Sequence, residues 1–484
     1  MAKFVNKPDT FTQEHQQYTS HRREHWDKLA ERPRGILTRH YRRRLTEVYR
    51  NVVGQCDSIL EIGCGAGDLL NALNPARGVG VDLSPRMIAK AQHQYTNIQF
   101  VCADAQNFDL GDVSFDVIIL SDLLNDLWDV QAVLMHLQRY CSANTRILFN
   151  VFSHLWESPR NLAELLGIVA PTLRQNWLTP IDVHNLADLA GYEQVRRWEE
   201  ILCPLPIPLV DRFCNRILVK MPLFKAFALT NFYVIRPHSR VEKRDPPPSV
   251  SVIIAARNES GHIDELLQRI PDMGSHTEII FVEGNSTDDT YEAIERAVAN
   301  SPRDCKLLKQ PGKGKGDAVR TGFNSAKCDI LMILDADITV PPEDLKRFYD
   351  VLALGIGEFA NGVRLVYPME DDAMRFFNLV GNKFFSWAFS WLLGQPIRDT
   401  LCGTKVLWAV DYKKIADGRR YFGDFDPFGD FDLLFGAARQ NLKIVEVPIR
   451  YRARRYGETN IQRWQHGWLL LKMVVFAARR IKFR

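Results

Sequence analysis

The sequence predicts an α/β protein with two domains in series, and three observations carry that prediction. Apolar runs of a few residues, bounded by turn residues, alternate with amphipathic helical stretches along most of the chain. Acidic and glycine-rich turns follow those runs, at the strand ends where ligands of open α/β sheets collect. The composition breaks sharply once, in RVEKRDPPPS at 240–249, where charge gives way to three prolines and then to strand-like SVSVIIAA. Prolines in series stiffen a spacer and cannot continue a helix. The expected division is therefore 1–240, a linker at 241–248, and 249–484.

Length and composition fit this plan. A chain of 484 residues has room for two or three cores, and 46% hydrophobic with 25% charged residues is ordinary globular composition, which argues against disorder for most of it. The nine cysteines stand singly, without CxxC pairs or zinc spacing, so neither a disulfide framework nor a structural metal is expected and a reducing cytoplasm fits. The opening MAKFVNKPDTFTQEHQQ lacks the apolar core of a signal peptide, and no uncharged run reaches the roughly 18 to 20 residues that span a bilayer, so the chain is not expected to cross a membrane. The formal charge is +4, with basic residues gathered in HRREHW, RHYRRR, RYRARRY and RRIKFR. The first two clusters read as solvated faces. No nucleic-acid module accompanies them, and no nucleic acid is expected as a partner.

In the first domain, SILEIGCGAGDLL is an apolar strand ending in Glu61, followed by Gly63, Gly65 and Gly67 before a helical pattern. Glycines so spaced permit a tight strand-to-helix turn and close approach of a ligand to the backbone, although the pattern alone is weak. About twenty residues on, GVGVDLSPRMI places Asp82 at a second strand end, where a carboxylate can accept from ribose hydroxyls. FVCADAQNF then sets Asp104 after a third strand, and FDVIILSDLLNDL continues the rhythm. This ordered set resembles the class I S-adenosylmethionine-dependent methyltransferases, over roughly residues 40–200. The resemblance implies a Rossmann-like fold with S-adenosyl-L-methionine as cofactor. It also implies that Glu61, Gly63, Gly65 and Gly67 serve the methionine part, Asp82 the ribose and Asp104 the adenine amine. A dinucleotide-binding dehydrogenase is the competing assignment, but the E-x-G-C-G-x-G form and the later A-D-A point away from it.

The methyl acceptor is less legible. Ser121, Asp122 and Asn125 follow the fourth strand, where substrate often lies in such folds, and His154 with Trp156 follow the fifth in LFNVFSHLWES. Methyl transfer from a sulfonium can proceed largely by positioning, with a base required only for a protonated nucleophile, and the sequence names no certain base. The apolar tail through CPLPIPLV and NRILVKMPLFKAF is expected to pack against the other domain rather than cover the acceptor pocket.

The second domain repeats strand, polar turn and helix. SVSVIIAARNESGHIDELL is followed by EIIFVEGNSTDDTYEAI, with Asp288 and Asp289 near a helix start. KLLKQPGKGKGDAVRTGFNSA offers a glycine-lysine loop whose amides and Lys315 could meet phosphate oxygens, although it lacks the P-loop spacing. LMILDADITV then drives a buried strand into Asp335 and Asp337. Two carboxylates there suit magnesium or manganese, which often keep bound phosphates as further ligands; a turn or cap before Pro341 and Pro342 is the plainer alternative. A mostly parallel sheet should underlie these turns.

This ensemble resembles family 2 glycosyltransferases of the GT-A fold, in particular dolichol-phosphate mannose synthase-like and other polyprenyl-phosphate glycosyltransferases, from about 249 to 460. The resemblance implies a nucleotide-sugar pocket at Ala256, Arg257, Glu259, Glu283 and Asp288. It places the matching loop at Gly314, Lys315 and Gly316, and a metal-diphosphate pair at Asp335 and Asp337. One departure stands out. The usual V-D-D-G-S-x-D-G-T is here VEGNSTDDT, which leaves UDP and GDP both open as the donor nucleotide. IRDTLCGTKVLW resembles the family's D-x-x-x-G-x-K/R segment, and Asp430 with Asp432 in GDFD are candidates for a base, for positioning or for a plain helix cap. Arg454 matches the arginine expected near acceptor or diphosphate, with Arg452 and Arg455 as further anion ligands.

Between these motifs, Asp371, Arg375, Asn378, Asn382, Ser386 and Ser390 recur at spacings of 4, 3, 4, 4 and 4 on a helix otherwise rich in Phe, Trp and Leu. Two readings fit: a core helix with one wet face, or an interfacial helix beside a lipid-phosphate acceptor. The end, RWQHGWLLLKMVVFAARRIKFR, joins tryptophans and aliphatics to flanking cations, a combination suited to an anionic membrane surface. The sequence thus leads to the expectation of a bifunctional enzyme, peripheral on the inner face of the cell membrane. It would move a sugar, with inversion, from a UDP- or GDP-sugar to polyprenyl phosphate and methylate a related glycolipid or precursor. The alternative is a glycosyltransferase with a soluble acceptor and a non-catalytic S-adenosylmethionine-binding scaffold.

Overall fold

The computed structural model describes residues 10–33, 35–54, 56–166, 173–238, 245–364, 376–419, 430–449 and 471–483. The chain divides into two compact units, Met1–His238 and Ser239–Lys482.

The first unit is built on a seven-stranded sheet of β1 (Ser58–Ile62), β2 (Arg77–Asp82), β3 (Gln99–Cys102), β4 (Phe115–Leu120), β5 (Cys141–Phe152), β6 (Tyr192–Glu200) and β7 (Thr230–Pro237). Their spatial order is β3-β2-β1-β4-β5-β7-β6. The first five strands pair in parallel, and β7 runs antiparallel to both β5 and β6. Strands covered on both faces read as continuous apolar runs. This explains why SILEI is buried at every position and FDVIIL at all but its aspartate. β2 and β4 flank β1 on opposite sides, so the crevice of this sheet opens at the C-terminal end of β1, where the glycine turn begins.

The second unit has β8 (Val250–Ala256), β9 (Thr277–Glu283), β10 (Cys305–Lys309), β11 (Ile330–Asp335), β12 (Phe359–Val363), β13 (Lys405–Trp408) and β14 (Ile444–Pro448). Their order is β10-β9-β8-β11-β13-β12-β14. All pairs are parallel except those made by β13, which is antiparallel to β11 and to β12. The crevice again lies beside the central strand, with β9 and β11 flanking β8. KLLK, which the sequence reading absorbed into the glycine-lysine loop, belongs to the edge strand β10; its half-buried leucines between lysines suit an edge rather than a core strand.

The two N-terminal basic clusters are not solvated faces throughout. Arg22 is buried, stacked over the Tyr18 ring and donating to the backbone carbonyls of Asp126 and Arg174. Arg44 is buried against Glu200 and the carbonyl of Asn215. A long side chain can carry its charge inward when carboxylates and carbonyls meet its donors, and charge counts alone do not reveal those partners. Among the described residues, no helix is long and apolar enough to cross a membrane.

The helix Lys315–Ser325 reaches the central strand through Gly322, where a Cβ would stand 2.5 Å from Ile253 Cγ2. Gly322→Leu is therefore expected to destabilise the second unit by about 1–3 kcal/mol through overpacking, read as a lower denaturant midpoint for that unit. An unchanged midpoint would mean that this helix does not approach β8 so closely.

Candidate functional sites

At the first crevice, the turn after β1 takes Gly63, Gly65 and Gly67 through left-handed backbone, with φ of 72°, 53° and 78°. At Gly67 the requirement is clearest, because a Cβ there would stand 2.6 Å from Phe100 Cζ; at Gly65 a Cβ would meet nothing within 4 Å, so the turn leaves open space above it, and its amide donates to Asp82 Oδ2 at 2.8 Å. Asp82 Oδ1 accepts from the Ser84 amide at 2.9 Å. Burial raises the Asp82 carboxyl above its usual range while those two amides act in the opposite direction. Glu61 is buried, and its Oε2 has no hydrogen-bond partner among the described residues. A buried carboxylate oxygen left unpaired costs free energy, so this position is suited to a cationic or hydrogen-bond-donating ligand group. Asp104 Oδ1 accepts from the Gln106 amide at 3.0 Å, and its other oxygen lies 3.5 Å from Thr19 Oγ1 and 3.7 Å from His15 Nε2.

Those last contacts come from the helix Thr10–Ala30, which the sequence left without a role. It is held to the strand ends by Arg22 and Trp26 on Asp126 and by Asp27, which accepts from Ser84 Oγ at 2.5 Å. The helix thus borders the crevice from Asp82 to Asp104. Its basic HRREHW composition concealed this, because the residues that dock it are the polar ones.

The residues proposed near a methyl acceptor separate into two kinds. Asp122, at φ 55°, accepts from Tyr41 Oη at 2.7 Å and from Asn150 Nδ2, while Tyr49 Oη donates to Asn150 Oδ1 at 2.8 Å. Burial raises the Asp122 carboxyl, against hydrogen bonds from Tyr41 and Asn150 that lower it. Ser121 is half-buried beside this network. Asn125, by contrast, is fully buried, bonding to the Asn176 carbonyl at 2.6 Å and to the Phe152 amide at 3.1 Å, so it braces two loops. His154 lies 3.1 Å from Glu157 with both side chains largely exposed, and Trp156 Nε1 donates to the Phe227 carbonyl at 2.9 Å.

At the second crevice, β8 delivers Ala256 and Arg257, and Glu259 follows in the turn, buried with Oε2 3.9 Å from His262 Nε2. Glu283, the last residue of β9, is buried and accepts from the Ser286 amide at 2.5 Å. Asn258, at φ 56°, accepts from the Thr287 amide at 2.8 Å and ties the two turns together. Asp288 accepts from the Thr290 amide and hydroxyl at 3.1 and 2.5 Å; burial acts to raise its carboxyl, but these bonds and those from Ser260 hold it below the usual range.

Asp335 ends β11 half-buried, and its Oδ1 lies 2.5 Å from Lys315 Nζ. Burial would raise its carboxyl, but Lys315, then Lys405 and Arg364, hold it below the usual carboxylate range. Asp337 Oδ1 accepts from the Thr339 hydroxyl at 2.8 Å. The IRDTLCGTKVLW segment closes the other side. A Cβ on Gly403 would stand within 3 Å of both Asp335 and Lys315, so only glycine fits there without displacement. Asp399 holds Arg364 through two bonds of 2.7 and 2.9 Å, and Lys405 is fully buried with Nζ on the Cys402 carbonyl. The buried hydroxyls of Thr400 and Thr404 and the Oδ1 of Asn361 have no hydrogen-bond partner among the described residues. Three cations, Lys315, Lys405 and Arg364, and unsatisfied polar atoms around one strand end suit an anionic ligand with its counter-ion. No group of three or more His, Cys, Asp and Glu side chains that could hold a metal occurs among the described residues. A hard cation held by Asp335 and Asp337 would have to take its remaining ligands from phosphate or water.

Sequence reasoning did not foresee that Lys315 faces Asp335, or that Arg364 and Lys405 join them; contact across strands separated by many residues leaves no local signal. Asp430 opens the helix Asp430–Arg439, but its side chain lies outside the described residues, as do Arg452, Arg454 and Arg455. Asp432 is buried with Arg419 at 2.8 Å and Arg320 at 3.6 Å, an arrangement for anchoring rather than for proton abstraction. On the helix Phe376–Leu393, Ser386 and Ser390 donate to the Ile397 carbonyl at 2.7 and 3.0 Å, so this end of the polar stripe caps an internal loop. Residues 371 and 375 lie outside the described residues, as do the side chains of Asn378 and Asn382.

Each of the two α/β units thus gathers charged and polar residues at the strand ends beside its crevice. Residues 251–399 match the model for glycosyl transferase family 2, and residues 59–144 match that for a methyltransferase domain. By these matches a family 2 glycosyltransferase domain follows a methyltransferase domain in the chain. Over 220 residues it is 28% identical to the dolichol-phosphate mannosyltransferase of Pyrococcus furiosus, covering 44% of this chain and 59% of that one. It is 33% identical over 215 residues to the undecaprenyl-phosphate 4-deoxy-4-formamido-L-arabinose transferase of Edwardsiella ictaluri, covering 43% and 62%. The chain therefore spans roughly three-fifths of the length of these two relatives. Among solved structures, the glucosyl-3-phosphoglycerate synthase of Mycobacterium tuberculosis is similar at a TM-score of 0.38 and 18% identity, covering 50% of this chain and 82% of that one. The putative methyltransferase crystallised with the Haloferax volcanii Trm112 activator gives a TM-score of 0.35 and 20% identity, covering 45% and 98%.

Burial pushes the Glu61 carboxyl up to about 8, against a smaller opposite effect of Arg42. A carboxyl raised in the folded state keeps a proton that the unfolded chain has released, so its contribution is complete below the ordinary glutamate range and is lost as pH rises to about 8. The unliganded first unit should therefore unfold more readily at about pH 8.5 than at about pH 6, and Glu61→Gln should flatten that slope. Thermal unfolding across this range checks it; parallel slopes for the two proteins would contradict it.

Proposed function

We propose that the chain is a bifunctional transferase acting on lipid-linked sugars. Its second domain moves a glycosyl group from a nucleotide-sugar to polyprenyl phosphate, and its first methylates the same glycolipid or a precursor. The observation that carries this reading is the cluster of Asp335, Lys315, Gly403, Lys405 and Arg364 at the end of β11, inside a family 2 glycosyltransferase domain. The names of the relatives, which specify dolichol-phosphate and undecaprenyl-phosphate transfer, support the acceptor class.

In this reading Ala256, Arg257, Glu259, Glu283 and Asp288 line the nucleotide pocket, and Lys315 with the amides of Gly314 and Gly316 faces the diphosphate. Asp335 and Asp337 would hold magnesium or manganese, which when bound neutralises charge developing on the leaving diphosphate. The bond from the anomeric carbon to the donor oxygen breaks as the acceptor oxygen bonds to the opposite face, with inversion. An ionised phosphate acceptor brings no proton to remove, so no base is required; Asp430 and Arg454 are assigned to positioning acceptor and diphosphate. The Lys315 ammonium beside Asp335 lowers its carboxyl and so favours the ionised form that a metal ion would need.

In the first domain, S-adenosyl-L-methionine would place its ribose hydroxyls on Asp82, its adenine amine near Asp104, and its charged methionine end toward the Gly63–Gly67 turn and Glu61. The unpaired Glu61 oxygen supports that orientation. The helix Phe376–Leu393 leaves Phe384 and Trp387 48% and 58% exposed, which supports peripheral placement at a membrane surface on the cytoplasmic side.

Asp337→Ala should lower sugar transfer about a hundredfold or more while S-adenosylmethionine binding stays intact, both measured on one preparation. Transfer that survives the substitution, or thorough chelation, removes the metal role. Asp82→Ala should weaken S-adenosylmethionine binding by about 1–3 kcal/mol, the usual cost of leaving buried polar groups unpaired. Calorimetry showing full affinity would sink the ribose assignment. Phe384→Asp and Trp387→Asp should slow transfer to a long-chain polyprenyl phosphate more than to a short soluble analogue, because only the long chain needs the interface. Equal effects on both acceptors would favour a soluble acceptor.

A further inference from the structure

The segment between β6 and β7, residues 201–229, leaves the sheet and returns to it. Its neck is closed by the Leu229 amide on the Ile201 carbonyl at 2.7 Å. Its base is anchored in the unit. Asn215 is buried and bonds through both ends of its amide to the backbone of Cys203, at 2.8 and 2.7 Å. Arg44 and the buried Lys220 both reach Glu200 from opposite directions. A segment fixed at this many points does not expose side chains by fraying.

Its outer part nevertheless presents apolar groups to solvent. Ile207, Leu209, Phe213, Leu223, Phe224 and Phe227 are all exposed, Leu209 by 78% and Leu223 by 74%. Leu209 also holds left-handed backbone at φ 68°, a conformation that leucine adopts at a cost and that persists only when its surroundings impose it. A concentration of large apolar groups on an anchored protrusion marks a surface that something covers.

The charges around it indicate what covers it. Within 201–229 the sole acid is Asp211, whose carboxylate lies 3.4 Å from His40 Nε2. Arg212 and Lys225 are exposed beside the apolar tips, and Arg216 is half-buried. Apolar tips flanked by exposed cations match an anionic bilayer, whose acyl boundary accepts the tips while its headgroups attract the cations. The protrusion is also tied to the turn that follows β5, where Trp156 Nε1 donates to the Phe227 carbonyl.

We propose that the 201–229 protrusion docks the methyltransferase unit on an anionic membrane, with Leu209 and Leu223 entering the headgroup boundary and Arg212 and Lys225 on the phosphates. The surface stands on its own exposure and charge, and it depends on neither sugar donor nor methyl acceptor.

Hydrogen exchange of the full chain, with and without vesicles of phosphatidylglycerol and phosphatidylcholine, tests this directly, because it localises protection whatever the second unit does. Peptides covering 205–213 and 221–227 should gain protection with the anionic vesicles and much less with phosphatidylcholine alone. Leu209→Asp/Leu223→Asp and, separately, Arg212→Glu/Lys225→Glu should reduce that protection on the order of tenfold in vesicle concentration, whereas Ile181→Asp, at an exposed apolar residue on another helix, should not. The charge-reversal pair lies at exposed positions and preserves the fold if the apolar pair does not. The proposal fails if these peptides ignore anionic vesicles, or if they are already protected in the vesicle-free chain. It fails equally if their protection grows with protein concentration alone, which would make the surface an interface between copies.

Discussion

A carboxylate at the end of a buried parallel strand must find a counter-charge or a set of donors, and both halves of this protein are organised around that constraint. β11 ends in Asp335, which meets Lys315 with Lys405 and Arg364 behind it. β2 ends in Asp82, which meets the amides of Gly65 and Ser84. β1 brings in Glu61, whose Oε2 has no partner among the described residues and whose carboxyl burial drives upward. The glycines follow from the same need. Gly65 must bring an amide to Asp82, and Gly403 must leave room for Asp335 and Lys315 together.

Much of this was legible in the sequence for a physical reason. Parallel strands are covered on both faces, so SILEI, VSVIIAA and ILMILD appear as unbroken apolar runs, and each hands over to polar residues where the cover ends. Residues that act within one turn, such as Gly63 to Gly67 or Glu283 to Asp288, keep their spacing as a signature. Contacts made across the sheet do not. Lys315 and Asp335 are neighbours only because β8, β9 and β11 are parallel, and Arg364 reaches Asp399 only through the β12–β13 pairing. The same limit made HRREHW and RHYRRR look like solvent-facing charge, although Arg22 and Arg44 carry theirs inward. KLLK was missed as a strand because an edge strand has no continuous apolar run to announce it.

Joining the two domains in one chain has a simple consequence if both act on the same lipid. Two sites held at one surface act on a substrate that diffuses in two dimensions, so the product of one remains near the other without being channelled. The exposed aromatics at Phe384 and Trp387 and the anchored protrusion at 201–229 lie in different units. If both surfaces meet one membrane, two weak contacts joined by a covalent link bind more tightly than either alone.

The central claim is that one chain puts a sugar and a methyl group on the same lipid. The most direct measurement supplies the purified protein with membranes containing polyprenyl phosphate, a panel of UDP- and GDP-sugars, magnesium, and S-adenosylmethionine carrying a deuterated methyl, followed by mass spectrometry of the lipid extract. The account predicts a new lipid species whose mass includes both a glycosyl group and the deuterated methyl. A protein that binds both donors yet leaves the lipid fraction without a glycosylated species, or with a glycosylated species that never carries the label, would contradict it.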